Sequence, residues 1–198
     1  MAASTHFPTL IDPDEATDLE PARAVTRPAL EDLYREHFAF VWRSAKRLGV
    51  REASLDDVVQ EVFVIVHRRL PDFEGRSSLS TWLFGITLRV ARDHRRSLAR
   101  KEADGSVDLD RIQTTLPGPA ESMEKAEAVR VLYSILDELD EERREVFVMA
   151  DLEQISMPDI ARTLGINVNT AYARLRAARQ SFESALARHR TRDEWRLR

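Results

Sequence analysis

The chain contains no cysteine, which excludes a disulfide framework and any thiolate-bound metal. It has no run of about 18 apolar residues, so no membrane span and no direct membrane insertion is expected. The opening "MAASTHFPTLIDPDEATDLE" lacks the basic and apolar regions of a signal peptide, which points to a soluble chain of the cytoplasm. There is no Walker-type phosphate loop and no G-x-S-x-G, and His6, His37, His67, His94 and His189 are scattered. These absences predict a protein that is not an enzyme and has no cofactor, metal or catalytic residue. Only six glycines and eight prolines are present in 198 residues, and they act as punctuation.

What is there is helical. Hydrophobic residues make up 43% and charged residues 32%, enough for a packed core. Residues 1–28 are poor in large apolar side chains and hold Pro8, Pro13, Pro21 and Pro28, which reads as a flexible N-terminal tail. From Ala29, Leu30, Leu33, Tyr34, Phe38, Val41, Ala45 and Leu48 recur at helical steps, and Gly49 ends the helix. A second helix is expected with Ser54 as N-cap, Asp56 and Asp57 in its first turn, and an inward stripe of Val58, Val59, Val62, Phe63, Val66 and Leu70 before Pro71. A third starts near Ser78 and becomes basic towards its end. Periodicity fails over 101–121, a linker broken by Pro117-Gly118-Pro119. Helical order resumes over 122–188, and 189–198 reads as a C-terminal tail. The fold class is all-α: two small helical domains, 29–100 and 122–188, on a flexible tether.

The net charge of −4 hides an uneven distribution. Residues 85–101 carry six bases against one acid, and residues 158–198 carry nine arginines against four acids. Between them, residues 122–157 carry ten acids against four bases. Two basic faces on two bodies are candidate DNA surfaces.

The stretch "SMPDIARTLGINVNTAYARLRAARQSF" from Ser156 reads as a helix-turn-helix. Ser156 and Asp159 form an S-x-x-D start, Gly165 supplies a left-handed turn, and Asn167 caps the second helix. Ala171, Leu175 and Ala178 face inward. Asn169, Thr170, Tyr172 and Ala173 face outward at the helix start, where side chains reach base edges, and Arg174, Arg176 and Arg179 follow. A plain helical hairpin with a solvated arginine face has the same pattern. In the first body, Trp82 beside Arg76, Ser77, Ser78 and the arginines that follow suits stacking on unpaired bases, although Trp82 at that spacing also reads as core. The Gly75–Ser78 loop could receive a flipped base.

The order "DDVVQEVF", "FEGRSSLSTWLFGI", a basic helix, a linker and "LDELDEERREVFVMADLEQISMPDIARTLGINVNTAYARLRAAR" resembles a bacterial RNA polymerase sigma factor. It is similar to the extracytoplasmic-function group, which keeps sigma domains 2 and 4 and lacks domain 3. The resemblance spans about residues 30–185. It implies that Asp57, Gln60 and Glu61 dock on core RNA polymerase, where the residues alone read as a solvated face. It implies that Arg76, Ser77, Ser78 and Trp82 hold and open the −10 element, and that Arg89, Arg92, Arg95 and Arg96 track the backbone upstream. The 156–179 unit, through Asn167, Asn169, Thr170, Tyr172, Ala173, Arg174, Arg176 and Arg179, would read the −35 element of promoter DNA. An anti-sigma factor clamping the two bodies is also implied. Arg89 stands where the family often has asparagine, and Asn169–Arg174 where it often has G-T-V-x-S-R, so the promoter sequence is not readable. A dimeric helix-turn-helix repressor would instead bind palindromic half-sites without polymerase, and an adaptor would show no salt-dependent DNA affinity.

Overall fold

A computed structural model describes residues 30–104 and 123–196, and these contain seven α-helices and no strand. The N-terminal tail and most of the 101–121 linker lie outside the described residues. Helices α1 (Leu30–Arg47), α2 (Leu55–Arg69) and α3 (Leu79–Ala103) pack on one another as a first bundle. Helices α4 (Met123–Glu138), α5 (Glu141–Phe147), α6 (Met157–Leu164) and α7 (Val168–Arg196) form a second.

Local chemistry explains the boundaries. Gly49 ends α1 in the left-handed region at φ +86°, and Val50 N–H donates back to the Ala45 carbonyl at 3.1 Å. The α2 stripe is buried at Val58, Val59, Val62, Phe63 and Val66, and Pro71 leaves one 3-10 turn, Leu70–Asp72, after it. Ser78 caps α3 by accepting from Thr81 N–H at 3.1 Å. Asp140 caps α5 in the same way through Arg143 N–H at 2.9 Å.

Several expectations need correction. Ser54 stands at the start of α2 but makes no side-chain cap, because a 3-10 turn, Glu52–Ser54, already leads into the helix. Tyr34 is 44% exposed, having no second bundle to close over that edge of α1. Helical order resumes after 122 in pieces: Asp140 restarts it after α4, and one wide turn, Val148–Leu152, precedes Gln154 at φ +54°. Helix α3 runs three residues into the expected linker, and α7 continues to Arg196 through the expected C-terminal tail, whose composition is helix-compatible and free of glycine and proline. The two helical domains form as expected, and their buried apolar residues also meet in one continuous cluster.

Phe84 is fully buried in this cluster. Phe84→Ala is expected to lower the unfolding free energy by about 3–5 kcal/mol. Ser156→Ala, which removes only the cap of α6, costs about 1 kcal/mol. Urea titrations followed by far-UV circular dichroism check the ratio between the two.

Candidate nucleic-acid interface

The helix-turn-helix forms as its residues dictate. Ser156 Oγ accepts from Asp159 N–H at 3.3 Å and donates to Asp159 Oδ2 at 2.7 Å. Gly165 takes φ +67°, ψ +33°, and Ile166 N–H closes the helix end on the Ala161 carbonyl at 3.0 Å. A Cβ at Gly165 would meet nothing within 4 Å, so glycine is there for its backbone conformation and not for space. Asn167 Oδ1 accepts from Asn169 N–H at 2.8 Å and starts α7. Ala171, Leu175 and Ala178 are buried. Asn169, Thr170, Tyr172, Ala173, Arg176 and Arg179 are exposed, with Tyr172 at 53%. Arg174 is partly covered and pairs with Glu142 at 2.7 Å. Arg179 forms a two-pronged pair with Asp151, at 2.9 and 2.6 Å. The hydrogen bonds to Asp151 raise the pKa of Arg179 above its ordinary value.

In the first bundle, Gly75 turns at φ +71° and leaves Arg76 exposed beside Glu74. Trp82 is half-buried: it packs its ring on Phe73 at 5.1 Å between centroids, and it also lines a cleft of about 500 Å³. Ser77, Arg89 and, unforeseen from sequence, Arg68 and Arg69 share that cleft. The clue was the basic pair just before Pro71. From the second bundle, Asp159, Arg162 and Thr163 of α6 stand in the same cleft. The helix-turn-helix therefore covers the aromatic-and-arginine surface instead of standing apart from it. At Gly85 of α3 a Cβ would lie 3.7 Å from Thr163 Cγ2.

The four arginines of α3 separate. Arg89 and Arg96, seven residues apart, share an exposed face. Arg92 and Arg95 turn into the seam between the bundles. Arg92 Nε donates to Glu145 Oε1 at 2.6 Å and its Nη2 donates to Glu145 Oε2. Arg95 donates to Glu141 at 2.7 Å and to the Leu48 carbonyl at 2.6 Å, and lies 3.6 Å from Glu145. Glu145 is 1% exposed. Its hydrogen bonds hold Arg92 above the ordinary guanidinium range, against the opposing effect of burial. Across the same seam Arg47 donates to Glu153 at 2.6 Å, and Lys46 lies 4.9 Å over the Tyr133 ring. Burial pushes the pKa of Arg144, packed against Gly49, downward.

Sequence reading missed Glu145. Its one local sign is an acid at the edge of the apolar run Val146–Ala150, and its partner Arg92 is 53 residues away.

Asp57, Gln60 and Glu61 are exposed together on one face of α2. His94 of α3 lies close by, its pKa lowered by burial despite the two carboxylates Glu61 and Asp57. Among the described residues no group of three His, Asp or Glu side chains could hold a metal ion, and no helix is long and apolar enough to cross a membrane.

Two family models match: Sigma-70 region 2 over residues 33–101 and Sigma-70, region 4 over residues 130–182, together well over half the chain. The chain is 31% identical over 164 residues to the ECF RNA polymerase sigma factor SigE of Mycolicibacterium smegmatis, covering 82% of this chain and 63% of that relative. It is thus similar to slightly less than two thirds of that protein's length. A solved structure of CnrH in complex with the cytosolic domain of CnrY matches at a TM-score of 0.57 and 28% identity, over 80% of this chain and 87% of that one. The fold is also that of the sigma factor RpoE of Bartonella quintana, solved with the anti-sigma factor NepR, at a TM-score of 0.65, 20% identity, and coverage of 79% and 98%. Both bundles, in this order and with this gap, make the chain a member of the sigma-70 family, in its extracytoplasmic-function group of RNA polymerase sigma factors.

Proposed function

We propose that this sigma factor binds core RNA polymerase in the cytoplasm through Asp57, Gln60 and Glu61 and carries it to promoters with two elements. The observation that supports this best is the pairing, on one chain, of two different DNA surfaces. One is the exposed start of α7, suited to duplex: Asn169, Thr170, Tyr172 and Ala173 at base edges, Arg176 and Arg179 at phosphates, with Asn167 as cap and Arg174 steered by Glu142. The other joins an aromatic ring, arginines and a small-residue loop, suited to unstacked bases. There Trp82 stacks, Ser77 and Ser78 contact backbone, and Arg76, Arg89 and Arg96 hold phosphates. Arg92 and Arg95 join them once they leave the seam.

The first surface takes the −35 duplex and the second the melted −10 element. Sigma factors are not enzymes, and the metal-dependent chemistry of RNA synthesis belongs to the polymerase. An anti-sigma factor is the regulatory partner that the solved relatives support, since CnrH is held by the cytosolic domain of CnrY and RpoE by NepR. The domain assignment follows the bundles: sigma domain 2 in the first, sigma domain 4 in the second, with the 101–121 segment joining them.

The deciding experiment is a footprint on the DNA upstream of the chain's own gene, with and without core polymerase, using a probe for unpaired bases. Protection from −35 to −10 with a melted patch, dependent on polymerase, is the expected result; symmetric protection by the chain alone would indicate a repressor.

Two variants should divide the activity. Trp82→Ala keeps upstream protection and loses most of the melted patch, as removal of a stacking ring costs about 1–3 kcal/mol per base. Arg176→Ala weakens the −35 contact and lowers the salt slope by about 0.9, the value of one duplex phosphate contact.

Charge reversal of the α2 face, Asp57→Lys with Glu61→Lys, should abolish capture of core polymerase in a pull-down. Both side chains are exposed, so the unfolding free energy should fall by only about 1–2 kcal/mol, chiefly because a lysine replaces Asp57 in the first turn of α2. Retained capture would remove that face from the interface.

A further inference from the structure

Glu145 is buried and occupied by two arginines that the sigma reading needs elsewhere. Its carboxylate accepts both prongs of the Arg92 guanidinium and lies 3.6 Å from Arg95, which also donates to Glu141. A carboxylate receiving a guanidinium fork reproduces the geometry of a phosphate receiving one. The same closure sets Asp159 and Arg162 of α6 in the cleft with Trp82, Ser77 and Arg89. If those arginines contact DNA as proposed above, DNA and the second bundle claim the same atoms.

The seam is also built to part. The closest backbone packing lies within each bundle, and across the seam the bundles meet through side chains, the shared apolar cluster as well as charged pairs. Arg92–Glu145, Arg95–Glu141 and Arg47–Glu153 are its main polar links. These polar links stand beside the shared apolar cluster, so removing their charges is what weakens the closed arrangement.

We infer that Glu145, assisted by Glu141, is an intramolecular phosphate mimic that latches the second bundle over the −10 surface and competes with DNA for Arg92 and Arg95. This rests on the reading of those arginines as DNA contacts. The latch keeps the unbound protein off DNA, and a partner that separates the bundles, such as core polymerase, releases both guanidinium groups at once. The acidic middle of the chain thereby acts through specific pairs and not only through general repulsion.

The test uses the full chain. Because it has no native cysteine, Glu36→Cys and Gln180→Cys, exposed on α1 and α7, accept a pair of fluorophores that report separation of the bundles. Binding is read with a short fluorescein-labelled single strand of mixed sequence, since phosphate contacts do not depend on sequence. Glu145→Gln keeps the side-chain shape and removes the charge. Energy transfer should fall and the strand should bind about ten-fold more tightly, as expected when a minor open state becomes the main one. The salt slope should steepen by about 1.4, two contacts at about 0.7 each for a single strand.

Glu141→Gln, at a half-exposed position that tolerates substitution, should move both readouts in the same direction by less. Glu127→Gln makes the same charge change on α4, away from the seam, and should move neither. Unchanged energy transfer in both seam variants overturns the latch. So does opening without tighter binding, or an equal gain from Glu127→Gln. The polymerase-dependent footprint separates the two proposals: if it is present while the latch test fails, the sigma reading stands alone. If it is absent while energy transfer still falls, Glu145 holds the bundles closed for a purpose other than DNA exclusion.

Discussion

A carboxylate at 1% exposure needs its counter-charge, and in this chain the counter-charge is on a different bundle. That requirement links Glu145 of α5 to Arg92 and Arg95 of α3 and sets how the two halves meet. Breaking a buried pair by removing one partner leaves an uncompensated charge, which is costly by about 3–5 kcal/mol. Keeping the pair is not strongly stabilising either, because burial opposes the very charges it brings together. The closed arrangement is therefore specific without being very deep.

The seam shows the same balance elsewhere. Arg47, Arg95 and Arg144 each bury an Nε that finds no hydrogen-bond partner among the described residues. A donor left in that state costs on the order of 1–3 kcal/mol. Within the first bundle, apolar stripes such as Val58, Val59, Val62 and Val66 interlock, and His94 Nε2 is the one buried side-chain atom of this kind among its described residues outside the seam. The junction thus combines a shared apolar cluster with charged pairs whose burial opposes them.

Function follows from this division. In the proposed function Trp82 serves both as core and as contact, because its ring packs on Phe73 while the cleft borders it with arginines. The second helix of the helix-turn-helix depends on Gly165, Ser156 and Asn167 for the turn and caps that expose Asn169, Thr170, Tyr172 and Ala173. Its arginines are already tuned by acids of the same bundle, Glu142 for Arg174 and Asp151 for Arg179.

The sequence by itself determined the helices, most of their inward faces and the helix-turn-helix, because each is written in residues three to seven positions apart: caps, periodic apolar side chains, a left-handed glycine. The family is written in the order of such blocks over about residues 30–185. It was a poorer guide where context overrides local pattern, as at Tyr34, at Ser54, and in α7 beyond residue 188. Only the tertiary structure decided which arginines of α3 face outward and which are engaged, and that the helix-turn-helix shares a cleft with Trp82. Arg89, Arg92, Arg95 and Arg96 look equivalent along the chain. They differ because α3 turns about 100° per residue, so a second bundle arriving from one side meets Arg92 and Arg95 and leaves Arg89 and Arg96 exposed. The partner that captures them is 53 residues away, a separation at which no local pattern survives.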